Sequence, residues 1–353
     1  MELVITAVNS ITPVGIGADM TAASVRAGIS HLIESSDYYD IEGNPITISP
    51  IDVLSDEEEE SSRIGEIAKY SLEILLKKYF ENKFDKGETS NLFLGVAPLT
   101  RPGPRYEGIK QEIAENLKDV AFKWFKNVTS QVIRTGNSSV IRSIQSAIQI
   151  LKKNPLSVCI LGGFDSLLAL ETLDWLEDKE RLKSETFGRN HGLMPGEAVG
   201  FLTIETKTGA QSRGKNALAE IVGVGLANEP APFLSDSPSK GEGLTEALKI
   251  ALTESSSSPE DIDLVLGDLN GEFFRSKEWG YAEIRCFRGS SKVRQILHPA
   301  DCMGSVGAAS GAILLNIAVA AVSCCWVKGN VLVFCSDDNG ECGTVILRGN
   351  LGL

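Results

Sequence analysis

Short apolar stretches alternate with longer amphipathic ones along this chain, and that alternation is the pattern of an α/β protein. Apolar residues recur at helical spacing over 62–80 and 140–151, and this spacing predicts helices there. Apolar runs of strand length occupy residues 3–8, 92–96, 128–133, 157–161 and 198–204. Strands that alternate with helices predict a layered α/β fold.

The second half of the chain repeats this order. Strand patterns at 217–224, 262–266, 331–335 and 344–347 correspond to those at 3–8, 92–96, 157–161 and 198–204. We therefore predict two α/β halves related by a pseudo-twofold axis, residues 1–210 and 211–353. The first half carries insertions at 30–60 and 165–195, and the first of these is expected to be irregular, ending in an acidic run at the start of the next helix.

A tight corner between a strand and a central helix is the most informative stretch. It reads RTGNSS at 134–139, where strand 128–133 ends and helix 140–151 begins. A helix N-terminus favours negative charge, and its free backbone N–H groups can bind an anion. Many enzymes place a nucleophile at such a position, but the corner residue here is Asn137. We interpret Asn137 as a helix N-cap or as a residue that binds a ligand carbonyl.

A second corner is predicted at residues 302–305, with Gly304 opposite Asn137. Residues 303–327 carry no charge and are long enough to cross a bilayer. Small residues at the start of this stretch, and the lack of flanking aromatic belts, favour a buried core helix. We therefore predict no membrane span, and we expect the ligand site where the two corners face each other.

Composition restricts the partners and the compartment. The 353 residues carry a formal net charge of −13, which argues against nucleic acid and against an anionic membrane surface. The chain begins with a strand pattern instead of a secretory signal, and its seven cysteines lack disulfide-framework spacing. A cytoplasmic protein with reduced thiols is therefore expected. The adjacent Cys324 and Cys325 are expected on opposite sides of a helix, and neither a metal nor a cofactor is predicted.

Four stretches, in this order along the chain, resemble the β-ketoacyl synthases of fatty acid and polyketide synthesis, which have the thiolase fold. They are VITAVNSITPVG at 4–15, MPGEAVG at 194–200, SPEDID at 258–263 and GSVGAASG at 304–311. The resemblance covers nearly the whole chain. It implies a five-layer α-β-α-β-α arrangement and dimers formed through the strand at 128–133.

The resemblance also implies a reaction, a decarboxylative Claisen condensation that uses a cysteine at the first corner and two histidines. A thiolate at a helix N-terminus is suited to take the acyl group, and histidine is suited to assist decarboxylation. Matched position by position, the cysteine falls on Asn137 and the histidines fall on Asn270 and Gly304. These groups are replaced together, so we predict that condensation is lost. Asn137 and Asn270 stay candidate ligand-binding residues.

Three further positions of the family pattern are identifiable. A lysine of the family falls on Pro299, and its flexible glycine-rich gate falls on DDNG at 337–340. Glu197, within the MPGEAVG stretch, is retained, and the resemblance implies a structural role for it.

A relocated nucleophile is the alternative to lost chemistry. Ser138 follows the position of the lost cysteine, and Cys302 lies beside that of a lost histidine, with His298 close in sequence. Either residue would then serve an active acyltransferase or condensing enzyme, provided that a base activates it. The simpler interpretation of the second pair is a turn histidine and a small buried thiol.

The sequence thus predicts a β-ketoacyl-synthase-like pseudo-enzyme or partner subunit, comparable to the chain-length factors of polyketide synthesis. The predicted partner is a second copy or an active ketosynthase. An acyl carrier protein is a further candidate partner, for which Arg101, Arg105 and Lys110, or Lys123 and Lys126, would form a local basic patch. A pure scaffold is the third interpretation, and it predicts that side chains fill the space between the two corners.

Overall fold

The structure is a computed structural model, and it describes residues 1–52, 60–80, 87–103, 106–184, 190–235 and 237–349. Within them one sheet of 11 strands forms the framework. The strands, numbered β1 to β13 in chain order, are Leu3–Thr12, Gly15–Ile16, Ile33–Tyr39, Pro45–Ile48, Gly87–Gly95, Phe125–Ile133, Val158–Ser166, Glu197–Thr206, Ala219–Asn228, Ile262–Gly267, Gln295–Leu297, Asn330–Ser336 and Glu341–Gly349. Of these, β3 and β4 form a separate two-stranded sheet.

The sheet repeats one strand order in two groups. The first group runs β6-β5-β7-β8-β1 and the second runs β11-β10-β12-β13-β9. In each group the second strand pairs in parallel with both neighbours, and the next two pairings are antiparallel. The groups join where β1 pairs with β9. This order matches the internal repeat in the sequence.

Helices cover both groups of strands and lie between them. They are numbered α1 to α10 in chain order: Ala18–Ala27, Glu60–Phe80, Tyr106–Phe122, Ser139–Lys153, Leu170–Asp178, Lys207–Ser212, Glu242–Glu254, Phe273–Cys286, Ala300–Met303 and Ser310–Ser323. Helices α4 and α10 contact each other and both groups of strands, α2 and α3 pack on the first group, and α7 packs on the second with α8 against it. The predicted five-layer α/β arrangement is therefore confirmed.

The central layer explains the uncharged stretch that begins at Met303. Every residue of α10 from Ser310 to Val322 is buried, because strands of both groups pack against this helix. A helix that is apolar on all sides requires such surroundings. Among the described residues, no helix has the length and apolar character to cross a bilayer.

Several local predictions were wrong. Residues 30–60, expected to be irregular, contain the hairpin of β3 and β4; the acidic run at 56–59 lies outside the described residues. The apolar stretch from Met303 to Val327 is not one helix, because α9 ends at Met303 and α10 spans Ser310–Ser323.

The predicted boundary at residue 210 falls inside α6, which connects the two groups of strands, so the division into two halves at that residue stays a prediction.

Candidate functional site

The two corners have the same backbone design. A 3₁₀ turn at Gly136–Ser138 precedes α4, and a 3₁₀ turn at Gly307–Ala309 precedes α10. Each turn begins with a glycine at positive φ, 54° for Gly136 and 50° for Gly307, a region that glycine enters without steric cost. The counterpart of Asn137 is therefore Ala308. The expectation that Gly304 lies opposite Asn137 was wrong by four residues, because Gly304 is the C-cap of α9.

Each corner receives an aspartate from the end of a strand in the other half. Asp165 at the end of β7 accepts the backbone N–H of Ala308 at 2.8 Å, and Arg101 donates to the same carboxylate at 3.0 Å. In the other half, Asp337 follows β12 and lies so close to Gly136 that a Cβ there would collide with its carboxylate. The strand ends thus fix both corners.

Asn137 does not act as the N-cap of α4, so that interpretation was wrong. The capping position is Ser138, and the Asn137 amide instead donates to Asp268 Oδ2 at 3.0 Å. Asp268 lies directly after β10, so this hydrogen bond joins the first corner to the second half. Ser336 N–H donates to the same oxygen at 3.0 Å.

Asp268 is a buried carboxylate at the centre of the contact between the first corner and the second half. Burial raises its pKa, although Arg275 and the Asn137 amide act in the opposite direction. Its second oxygen, Oδ1, is buried and has no hydrogen-bond partner within the described ranges. A cavity of about 20 Å³ is lined by Asp268, Asn270, Met303, Gly304 and Ser305, among others. A cavity of this size accommodates about one water molecule.

Asn270, at the position of the first family histidine, is part of a buried polar network. Its amide donates to Glu272 Oε2 at 2.8 Å, and its Oδ1 accepts the Glu272 N–H at 3.2 Å. Glu272 in turn pairs with the buried Arg181, whose Nε donates at 2.7 Å. The Asn270 side chain is therefore engaged within the protein and is 7% exposed.

Gly304, at the position of the second histidine, cannot hold a side chain in this backbone. Its φ is 69°, and a Cβ would lie 2.7 Å from the carbonyl oxygen of Met194. The two chain segments are held this close by hydrogen bonds from Ser305 N to Met194 O at 2.7 Å and from Gly196 N to Ser305 O at 2.9 Å. A histidine would require the segments to separate.

The gate segment 337–340 is held by two buried arginines. Arg181 donates to Asp338 at 2.6 Å, and Arg275 donates to it at 2.7 Å. Arg181 and Arg275 are 5% and 3% exposed. Burial opposes the charge of Asp338, but these guanidinium groups keep the pKa of its carboxyl below the ordinary value.

Asp337 behaves differently from its neighbour. Burial raises the pKa of Asp337 to about 6, with Asn339 opposing the shift and the charge of Asp338 adding to it. Asn339 donates to Asp337 Oδ1 from both its backbone and its side chain, each at 2.8 Å.

The candidate nucleophile Ser138 is buried. Its hydroxyl lies 2.9 Å from the Thr135 carbonyl and 2.9 Å from Glu341 Oε1, and Glu341 also pairs with Arg142 at 3.2 Å. The group beside Ser138 is thus a carboxylate, which is a weaker base than the histidine of a typical triad.

His298 and Cys302 do not form the predicted Cys–His pair. His298 Nδ1 lies 2.7 Å from Asp301, and this hydrogen bond raises the pKa of His298 despite its burial. No hydrogen bond joins His298 to the Cys302 thiol among the described residues. Burial raises the pKa of the Cys302 thiol, and Asp301 adds to the shift, so this thiol is a poor nucleophile at neutral pH.

The retained Glu197 lies at the start of β8. Its buried carboxylate pairs with Arg63 and accepts the backbone N–H of Ile51 at 2.8 Å. These contacts tie β8 to the chain segment that precedes α2.

Arg101 does not contribute to the basic patch that the sequence predicted for carrier binding. Arg101 is buried against Asp165, and its side chain is 9% exposed. Arg105 lies outside the described residues, as does the Lys110 side chain. Arg101 therefore belongs to the second corner.

Sequence reasoning missed the charged residues that organise the site. Asp165, Asp268 and Asp338 each follow or end an apolar strand run, and that position was the available signal. Their partners Arg181 and Arg275 gave no comparable signal, because they lie in stretches without clear periodicity.

Comparison with known proteins supports the fold. No family model matches the chain. It is 34% identical over 124 residues to a 3-oxoacyl-[acyl-carrier-protein] synthase 2 of Staphylococcus aureus, covering 33% of this chain and 30% of that protein. It is 24% identical over 152 residues to a 3-oxoacyl-[acyl-carrier-protein] synthase homolog of Saccharomyces cerevisiae, covering 42% of this chain and 34% of that protein. The matched region thus covers about a third of the length of each of these relatives.

Solved structures match over the whole chain. The ishigamide ketosynthase/chain length factor covers 98% of both chains with a TM-score of 0.79 and 17% identity. A β-ketoacyl synthase of Burkholderia phymatum covers 99% of both chains with a TM-score of 0.75 and 16% identity. The chain therefore shares the fold of these solved ketosynthases, and the predicted fold is confirmed.

Asp337→Asn is expected to stabilise the protein by about 1–3 kcal/mol at about pH 8 and to have little effect at about pH 4. The folded carboxyl, with a pKa of about 6 against 3.8 as its ordinary value, binds more protons than the unfolded chain between these values. Wild-type stability therefore falls as the pH rises through this window, and asparagine removes that term. Urea unfolding at about pH 4, 6 and 8 measures the difference.

Asp338→Asn is the matched control. It is expected to destabilise the protein by about 3 kcal/mol at about pH 7, because the buried Arg181 and Arg275 lose a charged partner. A pH-independent effect of Asp337→Asn, or a loss of stability at about pH 8, would contradict the origin assigned to its raised pKa.

Proposed function

We propose that this chain is a non-condensing, ketosynthase-like subunit of fatty acid or polyketide biosynthesis. The observation that carries the proposal is the backbone at Gly304, which leaves no space for a histidine side chain at a position where the family resemblance requires one. The other two replacements point to the same conclusion.

The first corner lacks the nucleophile. The Asn137 side chain is a carboxamide, and its nitrogen donates to Asp268 instead of facing an open pocket. An amide nitrogen has no basic lone pair available for attack on a thioester. The corner thus keeps the helix N-terminus that would stabilise an anion, but Asn137 itself cannot form the acyl-enzyme.

The cavity beside Asp268 and Asn270 is also too small for an acyl chain. The cavity beside Asp268 and Asn270 measures about 20 Å³, whereas pockets for small ligands usually enclose about 300–1,000 Å³. The ion pairs of Asp338 hold the gate segment against this region. These contacts support the interpretation of a filled site more than that of a ligand-binding one.

A relocated nucleophile is the competing function. One observation favours it, the hydrogen-bond distance between Ser138 and the Glu341 carboxylate. Burial of Ser138 and the raised pKa of Cys302 weigh against it.

Acyl loading separates the two functions. The chain is incubated with acyl- and malonyl-carrier protein, and intact-mass measurement detects any covalent adduct; an active ketosynthase with its cysteine in place is the positive control. We expect no adduct on this chain above that of a Ser138→Ala, Cys302→Ala double variant. A stoichiometric adduct that Ser138→Ala or Cys302→Ala abolishes would overturn the proposal.

A partner follows from the free edge of the sheet. Strand β6 pairs only with β5 among the described strands, and its exposed side chains, which include Thr129, Ser130 and Gln131, are polar. An unpaired edge is a template for a second strand. We propose that β6 pairs with its own copy or with that of an active ketosynthase; one structural neighbour is named as a ketosynthase/chain length factor.

The carrier protein would then serve the active partner. One structural neighbour is described as an acyl-carrier protein in complex with its ketosynthase. In this chain Arg101, which the sequence assigned to carrier binding, is committed to Asp165. A cytoplasmic location stays a prediction.

Ser130→Arg is expected to weaken homodimerisation about tenfold or more, because each copy would bring a large like charge to the paired β6 strands. Light scattering after size-exclusion chromatography, over a range of concentrations, gives the oligomeric state. Gln111→Arg, on the exposed surface of α3, adds the same charge elsewhere and is expected to leave the dimer unchanged. Equal effects of the two variants would contradict pairing through β6.

A further inference from the structure

The end of α10 carries two adjacent cysteines that the candidate site does not use. Cys324 and Cys325 are both exposed, whereas Cys159, Cys302, Cys335 and Cys342 are buried. The prediction that they lie on opposite sides of a helix was wrong, because α10 ends at Ser323. Both cysteines belong to the turn that follows.

This turn has the hydrogen bonds of a glycine-type helix end. Cys324 N–H donates to Ala320 O at 2.9 Å, and Trp326 N–H donates to Ala321 O at 2.9 Å. Cys325 between them has a φ of 53°, a left-handed conformation that helix ends normally give to glycine or asparagine. Glycine at this position is therefore compatible with the turn.

A groove lies beside Cys324. It has a volume of about 440 Å³ and is lined by Asp19, Ala23, Arg26, Ala27, Ala320, Cys324 and Trp326. The Arg26 guanidinium lies 4.7 Å from the centroid of the Trp326 ring, and this contact orients it. A guanidinium group recognises carboxylates through paired hydrogen bonds. The groove therefore combines an accessible thiol with a guanidinium group that can pair with a carboxylate, and the exposed Asp19 is the opposing charge in its lining.

We propose that Cys324 and Cys325 form a thiol–disulfide exchange site for small disulfides that carry carboxylates. The Cys324 thiolate attacks one sulfur of the small disulfide, forms a mixed disulfide and expels one small thiolate. The Cys325 thiolate then attacks Cys324 Sγ, forms the Cys324–Cys325 disulfide and expels the second small thiolate. The two cysteines are oxidised, the small disulfide is reduced to two thiols, and the cysteine protons pass to the departing thiolates.

The product is expected to be easily reversed. Neighbouring Cα atoms are about 3.8 Å apart, below the range of about 4.4–6.8 Å that disulfides normally span. The ring is thus strained, and strained or exposed disulfides are the readily reduced ones. The pair would therefore respond to the ratio of oxidised to reduced small thiols.

Other cysteines of the chain are less suited to this exchange. Burial raises the pKa of Cys159 to about 12 and also raises the pKa values of Cys335 and Cys342. Cys286 is half-buried, and its pKa is raised by burial as well. Since the thiolate is the reactive species, these residues provide an internal control.

Oxidised glutathione is the probe. The native full-length chain is incubated with it, and intact-mass measurement with peptide mapping follows. We expect the wild type to lose two hydrogens at Cys324–Cys325 without a retained adduct, and dithiothreitol to restore the original mass. Cys325→Gly, which suits the left-handed turn and is expected to fold, should retain one glutathione on Cys324. Cys286→Ser should behave like the wild type.

Other outcomes would overturn the proposal. A stable glutathione adduct on the wild type would show that Cys325 does not attack the mixed disulfide. Modification at Cys286 alone would show that Cys324 and Cys325 are not the exchange site. Arg26→Gln is expected to slow the reaction of oxidised glutathione about three- to tenfold without slowing that of uncharged hydroxyethyl disulfide. If Arg26→Gln and the wild type react at equal rates with both disulfides, Arg26 does not attract the anionic disulfide, and the role proposed for the groove is contradicted.

Discussion

Two buried arginines hold segment 337–340 in place beside the first corner. Arg181 and Arg275 approach Asp338 from two different elements, and Glu272 and Glu278 surround them. Moving segment 337–340 outward would take the main carboxylate partner from Arg275 and one of two carboxylate partners from Arg181, and such a loss in a low-dielectric interior costs several kcal/mol. The segment that the family resemblance identifies as a flexible gate is therefore expected to be fixed here, and the neighbouring corner is fixed with it.

The pseudo-twofold design supplies the framework for this closed site. Asp165 and Asp337 leave equivalent strands and reach the opposite corners, where Gly307 and Gly136 have nearly the same φ. The halves differ in the chemistry placed on this framework, since the first corner carries Asn137 and the second carries Ala308. A hydrogen bond from Asn137 to Asp268 then joins the first corner to the second half. The fold thus keeps both helix N-termini while the polar groups between them bind one another.

The sequence predicted the layers well because buried strands and helices leave strong apolar patterns. It missed α8, where the charged Arg275 and Glu278 interrupt the apolar spacing, although both are buried. Their burial depends on Asp338 and on neighbours that lie far away in sequence; Arg181 and Asp338 are 157 positions apart. The position predicted for the second corner was also wrong. Gly304 and Gly307 both have positive φ, and only the backbone shows which of them begins the turn before α10.

Amide hydrogen exchange at residues 337–340 tests the central claim that the gate segment is locked. The Asp337 and Gly340 N–H groups donate to Glu341 O at 2.8 Å and Asp337 O at 3.0 Å, and the ion pairs of Asp338 hold this turn in place. We expect these amides to exchange as slowly as those of the adjoining strands β12 and β13, through large-scale unfolding. Exchange near the rate of an unstructured chain, with β12 and β13 still protected, would show an opening gate and contradict this account of the site.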